Sequence, residues 1–80
     1  MPRFDFTITI DQYVDDLNAI EAVYARLDDV SLFNSSGLTY VAFHRTAANL
    51  DDAIRSAISD LRSFGYAIKQ IEVEPQCVGA

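Results

Sequence analysis

The sequence predicts an α+β domain with the element order strand, helix, strand, strand, helix, strand. Three observations predict it: strict alternation of apolar and polar residues near the start of the chain, two later segments with apolar residues at helical spacing, and a polar cluster with a glycine between two strand-like runs. Two right-handed βαβ crossovers in this order interleave into one four-stranded antiparallel sheet with both helices on one face. The predicted architecture is therefore a ferredoxin-like βαββαβ sandwich, in which the second face of the sheet has no cover from the helices.

The first strand is predicted from Phe4 to Ile10. Its apolar residues are separated by Asp5, Thr7 and Thr9, which is the two-residue period of a strand with one buried and one solvated face. The apolar side is expected to face the helices, so the two threonines belong to the uncovered face.

The segment after this strand predicts a helix that ends near Leu27. Apolar residues recur at spacings of three and four and form one stripe of Leu17, Ile20, Val23, Tyr24 and Leu27. Asp15 and Asp16 are expected in the first turn, where carboxylates complement the helix dipole. The sequence leaves the start of this helix open between Asp11 and Asp16.

Two strands joined by a turn are predicted next. Val30 to Phe33 is a short apolar run, Asn34 to Gly37 has the composition of a turn, and Leu38 to Arg45 has the pattern of a strand. Gly37 is expected to adopt a positive φ, which glycine takes without steric cost. In the strand from Leu38 to Arg45, alternation places Val41 and Phe43 toward the core. It places Tyr40, Ala42 and His44 toward the uncovered face.

The second helix has the clearest pattern in the chain. It is expected to follow Asn49, a residue type that caps helix N-termini. Its apolar stripe is continuous and consists of Leu50, Ala53, Ile54, Ala57, Ile58, Leu61 and Phe64. The larger residues of the stripe, Ile54, Ile58 and Leu61, are expected to fix the helix on the sheet, and Gly65 is expected to end it.

The last strand is predicted from Tyr66 to Val73, before Pro75, which has no N–H for a sheet ladder. Simple alternation places Ile71 and Val73 inward and assigns to the uncovered face Ile68, Gln70 and Glu72. The predicted organisation is one α+β domain over residues 1–75, followed by a C-terminal tail over residues 76–80.

Charge and cysteine content narrow the class of protein. Twelve acidic and six basic residues give a net charge of −6, which is the wrong sign for binding a phosphate backbone. No direct nucleic-acid binding is therefore expected from this segment.

Cys77 is the single cysteine, which excludes a disulfide framework and favours a reducing compartment. No apolar run reaches the ~20 residues of a membrane span, and the start lacks a signal-peptide pattern. The expected location is cytoplasmic, with no membrane partner.

The sequence has no pattern that indicates a reaction, a metal or a cofactor. His44 is the only histidine, and it is expected to be an exposed or interface residue; a stand-alone enzyme using it is the weakest hypothesis. Cys77 has no histidine or second cysteine near it in sequence, so a free thiol is the expected state. The aspartates at 11, 15, 16, 28 and 29 lack the ligand spacing and central glycine of a calcium loop. We therefore predict a protein that is not an enzyme, with no catalytic, cofactor-binding or metal-binding residues.

Apolar and aromatic residues assigned to the uncovered sheet face predict an interface. This prediction rests on Tyr40 and Ile68, because large apolar or aromatic side chains are not expected on a sheet face that is in contact with water. The candidate interface residues are Thr7, Thr9, Tyr40, Ala42, His44 and Ile68. A homodimer formed by face-to-face packing of two sheets is the expected assembly, since a core this small gains stability from further burial.

Several segments of the chain resemble one protein family. They are Phe4-Asp5-Phe6-Thr7, Asp28-Asp29, Phe43 to Ala47, Leu50 to Leu61, and Val73-Glu74-Pro75. The pattern is similar to the N-terminal domain of a family of small, mostly uncharacterised bacterial helix-turn-helix proteins, regarded as transcriptional regulators. In that family the helix-turn-helix follows the Glu-Pro pair, and acidic residues are usual at the positions of Ala42, His44 and Thr46. The resemblance extends over most of the chain from Phe4 to Pro75.

Two functional hypotheses remain open. The resemblance implies a non-catalytic accessory domain, for dimerisation or partner binding, of a bacterial transcriptional regulator whose DNA-binding segment lies outside these 80 residues. The alternative is a small-molecule-sensing regulatory domain, because amino-acid-binding regulatory domains share this order of strands and helices. In that case the loop at Asp11 to Tyr13 would line the ligand site.

Overall fold

The computed structural model describes residues 2–73 and confirms the predicted order of elements. The elements are β1 (Arg3–Ile10), α1 (Leu17–Arg26), β2 (Val30–Ser35), β3 (Leu38–Thr46), α2 (Leu50–Ser63) and β4 (Ile68–Val73). The four strands form one antiparallel sheet in the order β2-β3-β1-β4, so β1 and β3 are central. This is the ferredoxin-like α+β fold. Pro75, Cys77 and the predicted tail lie outside the described residues.

The core is built on the inner face of β1 and β3. Phe6, Ile8 and Ile10 of β1 are almost fully buried, and β3 contributes Val41 and Phe43 from the same face. The rings of Phe6 and Phe43 are stacked with centroids 5.3 Å apart. Burial of side chains of this size stabilises the fold by roughly 1.5–3 kcal/mol each. The predicted two-residue alternation of both strands is confirmed.

Helix α2 has the predicted ends. The Asn49 side chain accepts a hydrogen bond from the Asp52 N–H at 2.8 Å, which caps the N terminus. At the other end Gly65 has φ +87°, its N–H donates to the Arg62 carbonyl, and the Tyr66 N–H donates to the Leu61 carbonyl. These two bonds form a Schellman motif, which requires the left-handed conformation that glycine adopts easily.

The buried side of α2 differs from the prediction. Its fully buried residues are Ala53, Ala57 and Leu61, whereas Ile54 and Ile58 are only partly buried and lie on one flank of the helix. Two alanines at the centre of the stripe bring the helix backbone close to the sheet. The isoleucines, expected to fix the helix, instead cover the margin of the core.

Helix α1 also begins differently from the prediction. Asp16 is the N-cap, and its side chain accepts a hydrogen bond from the Asn18 N–H at 3.0 Å. The first turn therefore contains neither Asp15 nor Asp16, because the helix begins at Leu17. Val23 is the one residue of this helix that is fully buried, while Leu17 and Tyr24 of the predicted stripe are exposed.

The β2–β3 turn is a two-residue hairpin loop. Gly37 has φ +78°, as predicted, and Ser36 also has a positive φ of 53°. Two consecutive positive φ angles are typical of a type I′ turn, which matches the twist of the strands it joins. The loop length fixes the register, so that Phe33 lies opposite Tyr40 and Leu32 opposite Val41.

Strand β4 contains an irregularity that overturns one predicted orientation. Gln70 lies opposite Thr9 of β1, but Ile68 rather than Lys69 lies opposite Ile10, so the register shifts between these pairs. Such a β-bulge reverses the facing of the residues beyond it. Ile68 therefore faces inward and packs against the core, and its predicted place on the uncovered face is wrong.

Arg45 joins three elements at one end of the core. Its guanidinium donates two hydrogen bonds to Asp29, at 2.7 and 3.1 Å, and contacts Asp60 of α2 at 2.9 Å. It also donates to the Ser56 hydroxyl at 3.0 Å. The hydrogen bond to Asp29 raises the pKa of Arg45, against the opposing effect of burial, and Asp60 raises it further. The fork geometry of arginine suits this two-oxygen contact, which fixes the start of β2 and α2 relative to β3.

Candidate functional site

The candidate site is the sheet face opposite the helices, called here the outer face. Cross-strand pairing arranges its side chains in rows that run from β2 through β3 and β1 to β4. Beyond the pair of Ser35 and Leu38 at the hairpin turn, its first row is Phe33, Tyr40, Thr9 and Gln70, and its second row is Ser31, Ala42, Thr7 and Glu72. The third and fourth rows consist of His44 with Asp5 and Thr46 with Arg3. The helices pack on the other side, where their buried residues join the core of β1 and β3.

The first row carries an aromatic pair. The rings of Phe33 and Tyr40 are stacked with centroids 5.3 Å apart and planes 6° apart. Phe33 remains 49% exposed in spite of this contact, and Tyr40 is partly buried. Thr9 is only 4% exposed, because Tyr40 and Gln70 flank it from the neighbouring strands. The row therefore presents a rigid, largely apolar ridge, since cross-strand packing restrains the rings.

The third row contains the only histidine. Nδ1 of His44 lies 2.9 Å from Oδ1 of Asp5, and Nε of Arg3 lies 3.5 Å from the same oxygen. The His44 side chain is 49% exposed. Within residues 2–73, the imidazole makes its hydrogen bond through Nδ1, to the Asp5 carboxylate, and no hydroxyl group there bonds Nε2.

Five of the six candidate interface residues lie together on the outer face. Thr7 pairs with Ala42, Thr9 pairs with Tyr40, and His44 follows on the same side of β3. Ile68 is the exception, because the bulge in β4 turns it to the core. That these residues form an interface stays a prediction.

Sequence reasoning did not include Phe33 and Asp5 among the candidate interface residues. A signal for Phe33 was present: a two-residue loop at Ser36 and Gly37 requires Phe33 to lie opposite Tyr40. Asp5 had the parity of Thr7 and Thr9, but only the register between β1 and β3 places it opposite His44. The pairing of two distant strands is not readable from either strand alone.

The charge of the outer face differs from that of the whole chain. The charged residues in its four rows are Arg3, Asp5 and Glu72, whereas most of the twelve acidic residues belong to the loops and the two helices. Two carboxylates and one guanidinium leave this face close to neutral. The chain as a whole has a net charge of −6. Its repulsion of another negatively charged molecule is therefore smallest when this face is the one that approaches.

Residues 2–73 lack the features of three other kinds of site. No group of three or more histidine, cysteine, aspartate or glutamate side chains there is arranged to hold a metal ion. No pocket is found in this part of the chain. Neither of its helices is long and apolar enough to cross a membrane.

Comparison with known proteins adds no relative. No family model, curated protein or solved structure matches the chain.

Proposed function

We propose that this domain is a non-catalytic self-association module, in which two copies pack their outer faces together. The observation that carries the proposal is the stacked pair of Phe33 and Tyr40 on a face that the helices do not cover, where Phe33 is half-exposed and Tyr40 is partly buried. An aromatic pair held rigid at a solvated surface has the composition and low conformational freedom of an interface anchor.

The charge distribution favours a second copy as the occupant. Two chains of net charge −6 repel each other, and the repulsion is smallest where their nearly neutral faces meet. Arg3 and the Asp5–His44 pair lie on the same face, so a two-fold arrangement can bring the cation of one copy toward the carboxylates of the other. Closed two-fold pairing uses one patch twice and needs no further partner.

The size of the domain supports the same proposal. A chain of 80 residues buries a smaller fraction of its surface than a larger protein does, so its stability margin is narrow. Burial of the ridge formed by Phe33 and Tyr40 in a dimer adds apolar area to a limited core, and the dimer then stabilises the fold by mass action.

The biological role we propose is that of an accessory domain of a bacterial transcriptional regulator. The resemblance of Leu50 to Leu61 and of Val73-Glu74-Pro75 to the N-terminal domain of helix-turn-helix proteins supports this role. Dimerisation suits such a regulator, because a DNA site with two half-sites is bound by two DNA-binding segments, one from each copy. In this proposal the DNA-binding segment is encoded after Ala80, and the acidic domain itself makes no contact with DNA. The downstream codons of the gene test this part: a helix-turn-helix supports the role, and a stop codon after Ala80 contradicts it.

Amide chemical shifts over a dilution series test the self-association directly. Amides of Thr7, Tyr40 and Ala42 are expected to shift with concentration, because these residues lie on the outer face that the second copy covers. Amides of Arg55 and Ser59, on the exposed side of α2, serve as the control and are expected to remain constant. Spectra independent of concentration, or shifts confined to the helices, would exclude the outer face as the interface.

A further inference from the structure

We infer that the domain has a second interaction surface, along the free edge of β2, and that it binds a basic amphipathic helix. This surface, called here the α1 edge surface, is formed by Tyr13, Leu17 and Tyr24. These are three of the five large apolar or aromatic residues that remain exposed in residues 2–73, with exposed fractions of 51%, 71% and 45%. It is separate from the outer face and does not depend on self-association.

Hydrogen bonds place the loop before α1, and Tyr24 within α1, beside β2. The Val14 N–H donates to the Thr39 hydroxyl at 2.7 Å, and the Asn34 side chain donates to the Val14 carbonyl at 3.2 Å, which fixes the loop holding Tyr13 at the hairpin end of β2. Two turns along α1 from Leu17, the Tyr24 hydroxyl accepts a hydrogen bond from the Leu32 N–H at 2.9 Å.

Helix geometry puts Leu17 and Tyr24 on the same side of α1, because seven residues are close to two full turns. The helix therefore runs beside β2 from the hairpin end toward the start of that strand. Leu17 and Tyr24 lie along this helix, and Tyr13 lies in the loop that leads into it. Single exposed apolar residues are ordinary, but three of them on the loop and helix beside one edge strand indicate an interaction surface.

The hydrogen bond from Leu32 to Tyr24 determines the kind of partner. β2 is an edge strand, and a free N–H at its centre would favour addition of a further strand. Tyr24 occupies that N–H, so strand addition at Leu32 would require loss of this bond. The surface instead offers side chains, which suits the apolar stripe of a helix.

The charge around the surface determines the sign of the partner. Asp15 and Asp16 lie at one end, Glu21 lies between Leu17 and Tyr24, and all three are exposed. Arg26, the only basic residue of α1, is placed over the ring of Phe64, the residue that follows α2, 4.6 Å from its centroid. An apolar line with an acidic rim is complementary to a helix that has an apolar stripe between lysines or arginines.

Fluorescence anisotropy with the whole chain tests the inference. The probe is a labelled peptide of leucine and lysine, about four helical turns long, with leucines on one side. A peptide of the same composition in scrambled order, which has no apolar side, is the control for charge alone. The native chain is expected to bind the amphipathic peptide about tenfold more tightly than the scrambled one. Equal binding of the two peptides, or no binding of either, would overturn the inference.

Matched variants separate the α1 edge surface from general acidity. Leu17→Ser is expected to weaken binding about tenfold without unfolding the chain, since Leu17 is 71% exposed. Asp15→Asn with Glu21→Gln is expected to weaken it about fivefold at low salt. Asp51→Asn with Asp52→Asn removes the same charge from α2 and should change the affinity for the amphipathic peptide by less than about twofold.

Three results with these variants would overturn the inference. They are unchanged binding by Leu17→Ser, an equal loss in the two charge variants, and loss of self-association in Leu17→Ser. The last result would assign the α1 edge surface to a second copy of this chain.

Discussion

Phe33 stacks on Tyr40 across the β2–β3 ladder with the same centroid separation, 5.3 Å, that Phe6 keeps from Phe43 on the opposite face of the sheet. The two pairs differ in burial. Phe6 is 1% exposed and belongs to the core, while Phe33 is 49% exposed and belongs to the outer face. The same ring separation therefore occurs once in the core and once at the surface, and substitution distinguishes the two pairs.

We expect Phe33→Ala to lower the free energy of unfolding of the monomer by about 1 kcal/mol, because only cross-strand stacking is lost. Phe6→Ala is the matched control and should cost about 3–5 kcal/mol, since it leaves a cavity in the core. Urea unfolding at a concentration where the chain is monomeric measures both. Equal losses for the two variants would contradict the assignment of the rings to different faces.

The inward position of Ile68 gives a second prediction. Ile68→Lys is expected to lower the free energy of unfolding by about 1–3 kcal/mol, because a partly buried apolar side chain is replaced by a charged one. Gln70→Lys adds the same charge to the outer face, two residues along β4, and should change stability by less than about 0.5 kcal/mol. Thermal unfolding of both variants checks this prediction. A wild-type melting temperature for Ile68→Lys would contradict the inward position of Ile68 and the β-bulge that produces it.

The buried side of α2 gives a third prediction. Ala57→Asp places a carboxylate at a fully buried position against the sheet, so this variant is expected not to fold. Ile58→Asp is the comparison, and it should retain the fold with reduced stability, because the flank of the helix is accessible to water. Far-ultraviolet circular dichroism with urea titration separates the two. A cooperative unfolding transition for Ala57→Asp would show that α2 is rotated from the position described. Loss of the transition in Ile58→Asp but not in Ala57→Asp would show the same.

Arg45 gives a fourth prediction. Arg45→Lys keeps the charge but loses the two-oxygen contact with Asp29, and we expect a loss of about 1–3 kcal/mol in the free energy of unfolding. Arg55→Lys is the control, because the Arg55–Asp51 pair is exposed on both sides and exposed pairs contribute about 0–1 kcal/mol. Chemical unfolding of the two variants in the same buffer makes the comparison. Indistinguishable midpoints would mean that the two-oxygen contact between Arg45 and Asp29 does not stabilise the fold.

Local patterns were sufficient to predict the element order, the cap at Asn49 and the glycines at 37 and 65. Each of these depends on residues close together in the chain: a side chain that reaches the third amide of a helix, or a backbone angle that glycine adopts without strain. The alternation of β1 and β3 is equally local, because a strand with one buried face needs apolar residues at every second position.

The features that sequence reasoning missed depend on distant contacts. The bulge that turns Ile68 inward exists only in the pairing of β4 with β1, and nothing within β4 signals it. Whether Ala57 or Ile58 lies at the centre of the α2 contact depends on how far the helix is rotated over the sheet, which a broad apolar stripe leaves undetermined. The pairing of Asp5 with His44 requires the register of two strands separated by a helix and another strand.

Sedimentation velocity at high micromolar concentration tests the proposed self-association most directly, with Phe33→Lys/Ala42→Lys compared against Ala22→Lys/Ser59→Lys. Both double variants add two positive charges, the first on the outer face and the second at exposed positions of α1 and α2, so general repulsion between acidic chains changes equally. We expect the wild type and the helix variant to sediment as dimers and the outer-face variant to sediment as a folded monomer. A monomeric wild type, or an outer-face variant that still dimerises, would contradict the account.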